Sequence, residues 1–335
     1  MFNVAVAGAT GAVGTTMLRV LEERGFPVTE LRPLASERSE GRELDYLGKP
    51  YRVRRLSEDS FEGVQIALFS AGSARAKAYA PAAVEAGAVV IDNSSAFRMD
   101  PAVPLVVPEV NEPALEGHQG IVAVPNCVAA PLVVALKPIA DAVGLERVIV
   151  STYQSVSGTG QAAIEELRSQ TAGALAGEEP EPSVYPHPIA FNVLPQVDVF
   201  DESGYTFEEQ KVMAETRKML ELPDLAISAT CVRVPVFRGH SESVQIETTE
   251  RITPDRAREL LMVAPGVAVV DEPAFNRYPL PREAEGRDEV FVGRVRRDAS
   301  HPRGLAMWIV SDNLRKGAAT NAVQIAESLV TRGWL

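Results

Sequence analysis

The chain is short of the residues that would tie it to a secreted scaffold, a membrane or a nucleic acid. Only two cysteines, Cys127 and Cys231, occur in 335 residues. Two thiols so far apart argue against a disulfide framework, and a reducing cytoplasm is the expected setting. No stretch of about 18 consecutive apolar residues occurs, which excludes a membrane-spanning helix. The opening Met1-Phe2-Asn3-Val4 lacks the basic start, apolar run and small-residue cleavage site of a secretory signal. Positive charge is also scarce: 33 Lys and Arg stand against 45 Asp and Glu, a formal net charge of −12. That balance repels phosphodiester backbones. The most basic stretch, Arg52-Val53-Arg54-Arg55, is brief and followed at once by acids, so no nucleic-acid partner is expected. No metal site is expected either.

What is present is ordinary for a globular enzyme, with 46% hydrophobic and 23% charged residues. The length suggests two domains. In the first half, strand and helix signals alternate. Short apolar blocks at Val4–Ala7, Glu30–Leu34, Ile66–Ser70, Ala88–Asp92, Leu105–Val107 and Ile121–Val124 read as strands. Met17–Glu23 and the alanine-rich Ala74–Ala86 read as helix. This alternation predicts an α/β unit, a parallel sheet covered on both faces. After Pro125 the pattern changes. Val148–Val156 and Ile227–Thr249 are long β-rich runs, the second read as a hairpin or two neighbouring strands, with helices at Gly160–Gln170 and Thr206–Leu220. Glu178–Pro188 and Asp271–Asp288 are Pro-containing charged segments and read as exposed connections. Asn313–Val330 reads as an amphipathic helix able to pack back on the first domain.

Gly8-Ala9-Thr10-Gly11-Ala12-Val13-Gly14 follows the first strand and opens the first helix. In that setting the glycines allow a tight turn, close approach of backbone to pyrophosphate, and close helix–strand packing. The helix N-terminus then offers N–H groups and a positive dipole end to phosphate. Gly8, Thr10, Gly11, Ala12, Val13 and Gly14 are therefore candidate dinucleotide-binding residues. The end of the second strand bears on which dinucleotide. Ser36, Arg38 and Ser39 can complement a 2′-phosphate through hydroxyls and a guanidinium fork, which favours NADP. Glu37 argues the other way, because a carboxylate there can bond the ribose hydroxyls of NAD.

Cys127 ends a strand, and Val128–Ile139 reads as an apolar helix. A helix dipole favours the thiolate of a cysteine at its N-terminus, although position alone leaves a buried, inert thiol equally open. His240 lies in a Gly/Ser-flanked turn after a strand, and a thiol with an imidazole suffices as nucleophile and base for carbonyl chemistry. The other three histidines, His118, His187 and His301, read as surface-loop residues, and Cys231 as core.

The ordered set of motifs resembles aspartate-β-semialdehyde dehydrogenases over essentially the whole chain. It comprises Gly8–Gly14, Asn93-Ser94-Ser95-Ala96-Phe97-Arg98-Met99, Pro108-Glu109-Val110-Asn111, Pro125-Asn126-Cys127, Tyr153–Gly160, Glu208–Lys211 and Arg233–Glu242. The resemblance implies a Rossmann-type NADP-binding domain over residues 1–125, an α+β catalytic and dimerisation domain over 126–312, and a C-terminal helix over 313–335. It implies a homodimer that reduces β-aspartyl phosphate to aspartate β-semialdehyde on the route to lysine, methionine, threonine and diaminopimelate. At matching positions it makes Cys127 the thioester nucleophile, His240 the general acid/base, and Gln154 the residue that positions the intermediate. Arg233 would grip the substrate carboxylate and Glu208 its ammonium, with Asn126 beside them. Arg98 and Lys211 would hold phosphate, and Ser157, Gly158 and Asn313 would contact the cofactor near its nicotinamide. The chain departs from the family in having Val128-Ala129-Ala130 where a hydroxyl often follows the cysteine. Two other readings stay open at this level: a reductase of an N-acylated glutamyl phosphate, for which Glu208 would have no task, and a non-catalytic NADP-binding redox sensor.

Overall fold

The computed structural model describes residues 1–335. The chain forms two compact units, one of residues 1–126 with 318–335, the other of residues 127–317.

The first unit is built on a six-stranded sheet. Its strands are β1 (Phe2–Ala7), β2 (Val28–Ala35), β5 (Arg54–Arg55), β6 (Ile66–Phe69), β7 (Val89–Asp92) and β8 (Ile121–Ala123). Every pairing is parallel, and the spatial order is β5-β2-β1-β6-β7-β8. Counting the sheet's strands along the chain, that order is 3-2-1-4-5-6, the doubly wound dinucleotide-binding arrangement. A small ribbon of β3 (Glu43–Tyr46) and β4 (Lys49–Arg52) sits between β2 and β5 in sequence. Helices α1 (Ala12–Glu23) and α2 (Ser73–Glu85) cross between strands, and α3 (Pro108–Asn111) is a single turn. β1, β6 and β7 are fully buried along most of their length because both faces are covered. One layer of this core includes Val4, Val6, Met17 and Leu21 together with Ala322, Val323, Ile325 and Leu329 of the last helix, α9 (Thr320–Arg332). Arg24 and Glu327 tie α1 to α9 through a two-pronged ion pair at 2.7–2.8 Å.

The second unit holds a mixed six-stranded sheet in the order β10-β9-β11-β14-β13-β12. The strands are β9 (Leu145–Gln154), β10 (Ala226–Arg233), β11 (His240–Thr248), β12 (Val267–Val269), β13 (Val290–Arg297) and β14 (Gly304–Ser311). Helices α4 (Ala129–Val143), α6 (Phe207–Leu220) and α7 (Pro254–Val263) cover one face. α6 starts where Thr206 and Glu209 form a reciprocal capping box, which satisfies two end groups at once. α5 (Gln161–Leu175) packs on a satellite core of Val156, Ala163, Leu167 and Ile189. The opposite face of the sheet is only half covered: Ile149, Ser151 and Tyr153 of β9, Ser243 and Gln245 of β11, and Trp308 of β14 remain partly exposed.

Two expectations from the sequence change. Ile227–Thr249 is neither a hairpin nor a pair of neighbours, because β9 is inserted between β10 and β11, parallel to one and antiparallel to the other. Leu105–Val107 is not a strand; Leu105 makes one isolated parallel bridge to Ala123, on the free edge of β8. Asp271–Asp288 contains a short helix, α8 (Pro281–Ala284), and is pinned at Gly286, whose N–H donates to Asp312 Oδ2 at 2.7 Å.

Candidate active site

The register of the second sheet assembles most of the site. Arg233 of β10 pairs directly with Gln154 of β9. Tyr153 pairs with Ser241, which sets Gln154 beside His240 at the start of β11. Alternation turns the buried Arg233, Gln154 and His240 toward the helix-covered face of three adjacent strands. The inserted β9 therefore places an amide side chain between an arginine and a histidine far removed from it in sequence.

Cys127 precedes the first residue of α4 by two positions, where the dipole favours a thiolate. Its Sγ lies 3.3 Å from His240 Nε2. The other ring nitrogen, Nδ1, accepts the Ser155 N–H at 3.0 Å, and Ser155 Oγ stands 3.1 Å away. Burial, followed by the Arg233 charge, holds the His240 imidazolium well below the ordinary histidine range. Gly158 is closely packed: a Cβ there would stand 3.3 Å from both Arg233 Nη1 and His240 Nε2. Arg233 Nη1 donates to the Ser155 carbonyl at 2.7 Å, while its Nε is buried without a partner.

Gln154 is held at both ends, accepting from Thr152 Oγ1 at 3.0 Å and donating to Glu208 Oε1 at 3.1 Å. Lys211 bonds Asp198 at 2.7 Å and lies 3.4 Å from Glu208. Asn313 is buried; its Oδ1 accepts the Gly239 N–H at 2.9 Å and its Nδ2 donates to Ser157 Oγ at 3.0 Å. Cys231 is fully buried, and burial pushes its thiol far up, so it is chemically quiet.

The first unit carries the remaining candidates. Gly8 adopts φ +89°, and a Cβ on it would come within 2.4 Å of the Ser70 carbonyl. A Cβ on Gly14 would fall 2.1 Å from the Gly8 carbonyl, so the start of α1 can press against this turn only with glycine. Gly11 caps α1 without a side-chain hydrogen bond. Thr10 Oγ1 is 3.4 Å from Ser39 Oγ, linking the glycine turn to the segment after β2. Ser36 is half-buried and Arg38 exposed there. Glu37, the residue that speaks for NAD, is 3.7 Å from Arg55. Arg98 is buried, donating to the carbonyls of Val124 at 2.9 Å and Asn93 at 2.8 Å. Asn126 is buried as well. Of the other histidines, His118 ties Trp334 O at 2.7 Å, His187 is exposed, and His301 sits half-buried in a turn.

Three residues of the site carry no signal that spacing or composition could show. Ser155 faces the back of His240. Asp312 accepts from Arg238, Gly286 and Leu314, pinning the approach to His240. Gly317 sits in a π-helical turn, Arg315–Ala319, packed on Cys127. Such turns are frequent at functional sites.

A doubly wound unit with a glycine turn, joined to a unit holding a thiol against an imidazole, defines a two-domain nicotinamide-dependent oxidoreductase. Residues 3–118 match the family described as semialdehyde dehydrogenase, NAD binding domain, and residues 136–316 match semialdehyde dehydrogenase, dimerisation domain. An aspartate-semialdehyde dehydrogenase of Aquifex aeolicus is 58% identical over 336 residues, covering 99% of both chains. The crystal structure of aspartate semialdehyde dehydrogenase II from Vibrio cholerae complexed with ASA superposes with a TM-score of 0.96 at 51% identity, over 99% of this chain and 98% of that one. The Candida albicans enzyme with NADP gives 0.78 at 25% identity over the full length of both. The chain belongs to the aspartate-semialdehyde dehydrogenase family.

Proposed function

We propose that this protein reduces β-aspartyl phosphate to aspartate β-semialdehyde and phosphate with NADPH, through a thioester on Cys127, within lysine, methionine, threonine and diaminopimelate biosynthesis in the cytoplasm. The observation that carries the reading is the 3.3 Å contact between Cys127 Sγ and His240 Nε2 at the N-terminus of α4. The thiolate attacks the acyl carbon and phosphate leaves, which divides one difficult exchange into two easier ones. His240 answers the charge that develops on the carbonyl oxygen. Gln154 positions the acyl group. Arg233, whose Nε is buried and unpartnered, takes the substrate carboxylate, for which a guanidinium fork is suited. Glu208 meets the ammonium, Asn126 completes the substrate contacts, and Arg98 and Lys211 take the phosphate.

The first unit fits a dinucleotide. Gly8 and Gly14 keep open a turn that any Cβ would fill, and Thr10, Gly11, Ala12 and Val13 complete it. Ser36, Arg38 and Ser39 serve the 2′-phosphate, while Glu37 lies 3.7 Å from Arg55 in an exposed ion pair. Ser157, Gly158 and Asn313 face the nicotinamide end. When bound, the reduced nicotinamide supplies hydride. The half-covered sheet face, with Tyr153 against Trp308 at 5.4 Å, is the surface through which two copies pair.

The test runs in reverse: aspartate semialdehyde, phosphate and NADP⁺, following NADPH absorbance, with Cys127→Ala as control. Phosphate-dependent turnover that vanishes in the variant supports substrate, cofactor and nucleophile together. A folded, inactive wild type would instead direct the search to the acylated glutamate semialdehyde.

A further inference from the structure

Glu178–Pro188 has the composition of an exposed connection, yet its second half is bound down by two buried residues of α5. Glu166 accepts hydrogen bonds from the Ser183 N–H and hydroxyl, both at 3.1 Å, from the Val184 N–H, and from Gln170 Nε2 at 2.9 Å. A buried carboxylate is costly unless its lone pairs are filled, and here four donors fill them. Gln170, one helical turn on, donates to the Glu181 carbonyl and accepts the N–H groups of Ile189 and Ala190 at 2.9 and 3.2 Å. Farther along, Leu194 exchanges backbone hydrogen bonds of 2.8 and 2.9 Å with Arg233, on the free edge of β10. Residues 181–194 are therefore fixed at both ends, by α5 and by the arginine strand.

What this segment holds in place is Tyr185. Its ring lies under the Arg233 guanidinium, with Cζ 5.8 Å from the ring centroid, inside the range of cation–π attraction. The phenol donates to Thr159 Oγ1 at 2.9 Å, and the ring packs on the satellite core of Val156, Ala163 and Leu167. Arg233 itself is buried and has no carboxylate of the protein beside it. Its Nη1 donates to the Ser155 carbonyl, and its Nε has no partner. A buried charge without a counter-ion is ordinarily destabilising. A protein carboxylate would relieve it by occupying the in-plane N–H fork. An aromatic face steadies the cation from outside that plane and leaves the fork unclaimed.

We infer that Tyr185 is a positioning residue for the substrate carboxylate: its ring fixes the plane of the Arg233 guanidinium and keeps the Nε edge open to a carboxylate from the substrate. The inference rests on the assignment of Arg233 as the carboxylate-binding residue. Glu166 and Gln170 serve the same end at one remove, because they hold the segment that carries the ring. The arrangement prepares the anchor before substrate arrives, so the ordering of a long side chain is not charged against binding. The effect belongs to substrate affinity and leaves the chemistry at Cys127 and the nicotinamide site unchanged.

Two variants test this in the full-length enzyme. Tyr185→Leu removes the aromatic face, and Tyr185→Phe keeps it while removing the hydroxyl. In the reverse assay Tyr185→Leu should raise the KM for aspartate semialdehyde about tenfold, with kcat and the KM for NADP⁺ held within about threefold. Tyr185→Phe should restore the KM to near the wild-type value. A Tyr185→Leu enzyme with unchanged semialdehyde KM, a KM for NADP⁺ that rises in step, or a phenylalanine variant as impaired as the leucine one would each overturn the inference. Ligand-free crystal structures of the three proteins give a readout independent of turnover. The Arg233 guanidinium should keep one conformation against the Ser155 carbonyl in the wild type and Tyr185→Phe, and leave it or spread over several in Tyr185→Leu. An identical guanidinium in Tyr185→Leu would count against the ring as its support. A folded wild type without activity on aspartate semialdehyde would count against the proposed substrate instead, and the three structures would then decide whether the ring positions Arg233.

Discussion

Gly317→Ala is a one-methyl change aimed at the backbone of the nucleophile. The added Cβ would stand 2.9 Å from the Cys127 carbonyl oxygen, 3.0 Å from its Cβ and 3.2 Å from its Cα. Those distances are roughly half an ångström inside ordinary contact. None of the three atoms is the end of a flexible side chain, so either the π-helical turn or Cys127 must move. The turn is poorly placed to yield, because Asp312 and Arg315 anchor it through Arg238, Gly286 and Asp288. Most of the displacement should fall on Cys127, opening the 3.3 Å contact with His240. Overpacking of this size costs about 1–3 kcal/mol in stability. Misplacement approaching 1 Å at a reacting atom can cost about 100-fold in rate. We expect kcat to fall about 10- to 100-fold with KM changed less, and iodoacetamide labelling of Cys127 to slow in parallel. A melting curve separates this from global unfolding. Turnover within twofold of wild type, in a protein that still melts cooperatively, would refute the claim that this turn positions the nucleophile.

Other perturbations reach different parts of the molecule. Gly8→Ala should abolish dinucleotide binding, measured by fluorescence titration, because it combines a positive φ with a contact of 2.4 Å; retained affinity would remove Gly8 from the site. Glu242→Gln should be stabilising at pH 8. A carboxyl whose folded pKa is raised favours the fold below its unfolded pKa and loses that advantage as pH rises toward the folded value. The gain of a few degrees in Tm should therefore shrink as pH falls from 8 toward about 4.5 and level off below that, and a gain that grew in acid would contradict the assignment. Tyr153→Glu puts a charge on the half-covered sheet face and should shift the protein to monomer in sedimentation velocity; an unchanged sedimentation coefficient would move the pairing surface elsewhere.

The sequence displayed the parts of this molecule that depend on local grammar. Alternating apolar blocks and helices marked the parallel sheet, and strand–glycine–helix marked the phosphate turn, because both arise within a few consecutive residues. The order of strands was not legible. Ile227–Thr249 reads as a hairpin because its two halves adjoin, yet β9 lies between them. That insertion sets Gln154 between Arg233 and His240, a relation between residues about eighty positions apart. Likewise Ser155 influences His240 through a backbone N–H, which every residue but proline possesses and no side-chain pattern can advertise. Gly317 was hidden because its reason for being glycine lies in Cys127, at the other end of the second unit's sequence.

The first unit is written at both ends of the chain, residues 1–126 and 318–335, with the whole second unit between. Ala322, Val323, Ile325, Ala326 and Leu329 belong to the same buried cluster as Val4, Val6 and Leu21. During synthesis at about 5–20 residues per second, the earliest strands to emerge must therefore wait roughly ten seconds or more for the helix that seals one face of their sheet. For that interval, while the second unit is still being made, the dinucleotide-binding half is an open layer, exposed to proteases and to mispairing. A chain released after residue 317 would have every residue of the second unit and a first unit left unsealed.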